Sequence, residues 1–186
     1  MDPLQQQFEK AVGDEFFEWL NARRKTSYSF ARRAGEAPDL VYASGADELL
    51  VEITAGYYDG RHAEFLWKGA RGTKDAPAGW NGVNPDKSLA QAIANRVAEK
   101  CGKRYGGKAV LLINVPPGVT SAEELSELLA QQSFPIEMPF AGVYVVGRFP
   151  ITSSSSGGYR VLPIKEMPAN HTPNADARKS SARRLA

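Results

Sequence analysis

The chain has 186 residues, 42% of them hydrophobic and 24% charged, enough apolar material for one soluble domain with a proper core. A net charge of +2 does not by itself mark a nucleic-acid binder, and a single cysteine, Cys101, excludes an internal disulfide framework or a cysteine-based zinc cluster. His62 and His171 match no metal-ligand spacing, no apolar run approaches the length of a membrane span, and MDPLQQQFEK is not the basic-then-apolar start of a signal peptide, so a cytoplasmic protein with no membrane partner is expected.

The spacing predicts a helix from Pro3 to Asn21, with Asp2 as N-cap and Pro3 at the first helical position. Leu4, Phe8, Val12 and Trp19 fall within one arc at the helical period, and Glu15 falls in the middle of it, so an acid is expected on the inward face. ARRKTSYSFARR follows, with Arg23, Arg24, Lys25, Arg32 and Arg33 beside Tyr28 and Phe30. The window suits a phosphate-rich partner, and it suits equally a solvated connection after a helix.

PDLVYASGADELLVEIT then reads as a hairpin, strand DLVYA, turn SGAD and strand ELLVEITAGYY. Residues 59–87 form a long loop or insertion, interrupted by a short helix at AEFLWKGA. Trp67 and Trp80 in it either stack on a ligand or, the plainer reading, pin the loop to the core. KSLAQAIANRVAEKCGKRY is a second helix with Ser88 as its cap, Gly106-Gly107 at its end, and Leu89, Ile93, Val97 and Cys101 as its apolar stripe. Lys100 projects to the stripe side. KAVLLINV is a covered strand, TSAEELSELLAQQ a helix with a capping box, FAGVYVVGRF a further buried strand and YRVLPI an edge strand. The expectation is one α/β domain over residues 1–166, a mixed central sheet flanked by helices, followed by a disordered basic tail over 167–186.

Asp39 and Glu52 break otherwise apolar runs, and carboxylates in a covered sheet are costly unless paired or bound to a cation. Alternation puts Leu50, Glu52 and Thr54 on one face and Leu49, Val51 and Ile53 on the other. The hairpin brings Asp39 and Glu52 to one end of the sheet, and Glu15 would add a third acid. Oxygen donors meeting in this way suit a hard cation, Mg2+ or Mn2+. Each acid also has a plainer role: Asp39 as a strand-start residue, Glu52 as the ion-pair partner of Arg32 or Arg33, Glu15 at a helix edge reaching solvent.

Pro38-Asp39, a spacer of about a dozen residues and then Val51-Glu52-Ile53-Thr54, together with the order of the surrounding elements, resembles the PD-(D/E)XK nuclease-like superfamily, the restriction-endonuclease fold. The resemblance implies a metal-dependent nuclease in which Glu15, Asp39 and Glu52 hold the cation and Asp39 and Glu52 are catalytic. It also implies a lysine two residues after the glutamate, where this chain has Thr54. Lys100 is the candidate for a migrated lysine, with snorkelling as its plainer role and Lys68 as a weaker candidate. The expected partner is nucleic acid, DNA first, with a homodimer or a protein partner also compatible. The alternative is a nuclease-like module that binds nucleic acid or protein without cutting. No phosphate-binding glycine loop, dinucleotide fingerprint or histidine-supported nucleophile competes with these readings.

Overall fold

An apolar run without alternation is satisfied only by cover on both faces. The strand built from AVLLIN, β4 (Ala109–Asn114), accordingly lies inside a six-stranded sheet. A computed structural model describes residues 2–35, 37–57, 60–75, 84–105, 108–117, 120–151 and 157–168. The other strands are β1 (Ser29–Arg33), β2 (Leu40–Ser44), β3 (Asp47–Ala55), β5 (Gly142–Phe149) and β6 (Gly158–Lys165), and they lie side by side in sequence order. β1, β2 and β3 pair antiparallel, β3, β4 and β5 pair parallel, and β6 returns antiparallel on β5.

The parallel pairs require crossovers. The first carries α2 (Gly60–Arg71) and α3 (Pro85–Cys101), the second α4 (Ala122–Ala130). α3 and α4 pack Leu89, Ile93, Val97, Leu125 and Leu129 on one face of the sheet, against Leu111, Ile113, Val143 and Val145. The opposite face, with Leu49, Val51 and Ile53, is covered by Val12, Phe16, Phe17 and Leu20 of α1 (Pro3–Arg24). The sheet is therefore mixed and flanked by helices, compatible with a restriction-endonuclease-like core.

Several boundaries differ from the sequence expectation. α1 runs on to Arg24, so Arg23 and Arg24 belong to its last turn, and Lys25 is its left-handed C-cap. Ser29–Arg33, expected as a connection, is an edge strand. It is mostly exposed and so has little apolar alternation to signal it. Within the expected 59–87 loop, α2 occupies three turns. α3 is capped by Asn84, not Ser88, and ends at Cys101 with Gly102 as its C-cap. Gly106-Gly107, Trp80 and residues 169–186 lie outside the described residues. Met167, placed at the start of the tail, is buried in the α1-side core, where its amide donates to Tyr144 Oη at 2.8 Å.

Candidate functional site

The hairpin register sets the first half of the site. Leu40 pairs with Val51, so Asp39, one residue before β2, reaches the far half of β3. Its amide donates to the Val51 carbonyl at 3.0 Å, and its Oδ2 accepts from the Ile53 amide at 2.7 Å. The carboxylate thus replaces a strand neighbour as the acceptor for Ile53. Burial pushes the Asp39 carboxyl up to about 6. The Ile53 hydrogen bond opposes that rise, the charges of Glu52 and Glu9 add to it, and Lys100 opposes it.

Glu52 faces the α3 side of the sheet, as alternation predicts, and is 4% exposed. Lys100, one turn beyond Val97 on α3, donates from Nζ to Glu52 Oε1 at 2.5 Å. Tyr105, just past the helix, donates its hydroxyl to the same oxygen at 3.2 Å, and its ring lies 4.8 Å from that of Phe140. Burial, followed by the Glu52 charge, raises the Tyr105 pKa, so the phenol stays a donor. Glu52 Oε2 is buried with no hydrogen-bond partner among the described residues.

Asp39, Glu52 and Lys100 line one cleft of about 700 Å3 at the carboxyl end of β3. Thr54, where the resemblance in sequence implied a lysine, lines it too. So do Lys68, Arg71 and Lys103. Lys68 is held by Glu64 at 2.7 Å and Asp75 at 2.5 Å.

Glu15 does not join the other acids. It pairs with Arg148 of β5, away from the cleft lining. α1 covers the sheet face opposite Glu52, so only an acid near its N-terminal end can reach the cleft. That acid is Glu9, 4% exposed, which accepts from Gln5 at 2.9 Å and from Arg33 at 2.9 Å. Glu9 stands one turn before Val12 and Gly13 and two turns before Phe16, on the stripe that is buried. The arc drawn through Leu4, Phe8, Val12 and Trp19 pointed to Glu15 instead, although Val12 belongs to the buried stripe as well. Tyr105 lies beyond a helix end, where periodicity carries no signal.

The arginines of the basic window make contacts within the chain. Arg23 meets Glu166 at 3.4 Å and lies over Trp19, Arg24 donates to the Met167 carbonyl, and Arg32 meets Glu48 at 2.6 Å. Arg33 is taken by Glu9, so neither arginine of the pair reaches Glu52. None of Arg23, Arg24, Lys25, Arg32 and Arg33 lines the cleft.

Among the described residues no group of three or more histidine, cysteine, aspartate or glutamate side chains stands at metal-binding spacing, and no helix is long and apolar enough to cross a membrane. Of the acids that line the cleft, Asp39 and Glu52 are the two that the sequence put forward as metal donors. This pair is compatible with magnesium, which keeps several waters and is commonly bound through one or two carboxylates plus substrate phosphate. The unpartnered Glu52 Oε2 is the atom that fits such a role.

No family model and no curated protein matches the chain. Among solved structures, SfsA of Pyrococcus furiosus in complex with Ca2+ is similar, with 15% sequence identity and a TM-score of 0.31. The similarity covers 89% of this chain and 64% of that one, so the chain spans less than two thirds of its length.

Proposed function

We propose that the chain is a divalent-metal-dependent phosphodiesterase acting on nucleic acid, DNA first, in which Asp39 and Glu52 hold the cation and Lys100 takes the role of the lysine that Thr54 replaces. The observation that carries the reading is the 2.5 Å contact of Lys100 Nζ with Glu52, made from a different element than the superfamily pattern uses. A bound Mg2+ or Mn2+ would lower the pKa of its water and neutralise charge on the scissile phosphate.

The chain's own groups supply the rest. Lys100 carries three N–H donors and spends one on Glu52, which leaves donors for a phosphate oxygen on which charge develops. Tyr105 and Lys100 both hold Glu52 Oε1, which leaves Oε2 without a partner among the described residues. Asp39 is anchored through Oδ2 on the Ile53 amide, a rigid backbone support for a metal-binding carboxylate.

A second reading rests on the same contact. Glu52 and Lys100 form a charge-compensated pair without any cation, which is what a non-catalytic, nuclease-like binding module would retain. Calorimetric titration of manganese into the wild type and Glu52→Ala separates the two. Saturable binding that disappears in the variant is expected. With it, a screen of DNA cleavage should show activity lost in Lys100→Ala. No manganese binding, with or without DNA present, would leave the non-catalytic module.

A further inference from the structure

Beside the acidic floor, the cleft has an aromatic wall that the proposed chemistry does not use. Phe8 of α1 and Trp67 of α2 both line it, their ring centroids 5.7 Å apart and their planes at 75°. Tyr57, two residues past β3, lines it as well. Arg71 places its guanidinium 5.6 Å from the Trp67 ring centre. The indole is thus held in a near-perpendicular pair with Phe8 and against the Arg71 guanidinium, while remaining half-buried in the lining.

We propose that the Trp67 wall receives an unpaired base next to the phosphate at the acidic floor, so that the preferred substrate is a single strand or a frayed end, not an intact duplex. This rests on the nucleic-acid reading above. A duplex presents phosphates and groove edges to a protein, while its base faces are covered by their neighbours. Only an unpaired base offers a face to an aromatic side chain, and such stacking tolerates any sequence. The rim carries the matching charge: Lys68 and Arg71 lie one residue and one turn beyond Trp67, and Lys103 one turn beyond Lys100. Their partners are Glu64 and Asp75, Asp2 and Glu99, pairs at the surface that a phosphate can displace at little cost. A cleft of about 700 Å3 is within the range of pockets for ligands of nucleotide size.

The test is fluorescence anisotropy on the full chain, in EDTA and in calcium chloride, with three probes: a labelled oligo-dT 12-mer, a 12-mer of the same phosphates carrying abasic sites, and a 12-base-pair duplex. The intact single strand should bind about ten-fold more tightly than the abasic strand and the duplex. Trp67→Ala should remove most of that difference and Trp67→Phe should keep it. The abasic comparison needs no variant and holds even if Trp67→Ala folds poorly. Equal affinity for intact and abasic strands, tighter binding of the duplex, or no binding of the intact strand in either buffer overturns the proposal. Manganese binding in the calorimeter alongside equal intact and abasic affinities would leave the nuclease reading standing and remove this one.

Discussion

Asp39 is held in a state that its surroundings resist. Its carboxyl is pushed up to about 6 by burial, against an ordinary value of 3.8. The folded chain therefore binds this proton more tightly than the unfolded chain does. The associated stability is present in full below about pH 4 and is lost as pH rises through about 6. Asp39→Asn keeps an acceptor for the Ile53 amide and removes the charge. In metal-free buffer the variant should match the wild type below pH 4 and exceed it above pH 6. Because the side chain is only half-buried and solvent screens it, the gain should be about 1–2 kcal/mol. Urea denaturation at pH 4, 5, 6 and 7 checks it, and a gap that shrinks as pH rises would be the wrong sign. At this scale the sequence was informative where period two governs. Asp39, Glu52 and the face of Glu52 were legible in the hairpin, and Lys100 was legible as a cation on an apolar stripe. Glu9 was hidden by a choice between two overlapping helical arcs. Tyr105 was hidden because it belongs to no periodic element.

α1 is attached to the sheet through a close approach that tolerates no side chain at one point. A Cβ on Gly13 would stand 2.5 Å from Tyr42 Oη and 3.0 Å from its ring. Tyr42 cannot easily yield, since its ring is stacked on Phe17 at 4.0 Å and its hydroxyl donates to Asp14 at 2.7 Å. Helix propensity alone would favour alanine by about 1 kcal/mol, but overpacking of this kind costs about 1–3 kcal/mol. Gly13→Ala should therefore be destabilising, by about 1 kcal/mol net. Combined with Tyr42→Phe, which removes the closest atom, it should cost less than the two single changes added together, as a thermal-melt double-mutant cycle would show. Elements followed the same division of legibility as residues. The strands with continuous or alternating apolar runs were readable to within one to three residues at each end, β3 stopping at Ala55 where the sequence suggested a run on to Tyr58. β1 was not, because an exposed edge strand rich in arginine needs no apolar face. The length of α2 was not, because its pattern was submerged in a glycine-rich neighbourhood.

Over the whole molecule, stability is concentrated in the middle of the sheet. β4 is paired on both edges and covered on both faces, while among the described residues β1 and β6 are each paired on one edge alone. Amide exchange should be slowest in β4 and the parallel halves of β3 and β5, and faster in β1 and β6. Protection in β1 equal to that in β4 would contradict this arrangement.

β3 also joins two kinds of neighbour, a hairpin partner on one edge and a crossover partner on the other. The carboxylate of Asp39 meets the Ile53 amide across 14 residues of chain, whereas Lys100 meets Glu52 across 48. Contacts between near neighbours in sequence close first, and distant ones await the ordering of all that lies between them. The two acids are thus brought together by a local strand pairing, whereas the ammonium group joins them only when the first parallel crossover docks. The geometry of the cleft is in this way a readout of completed folding.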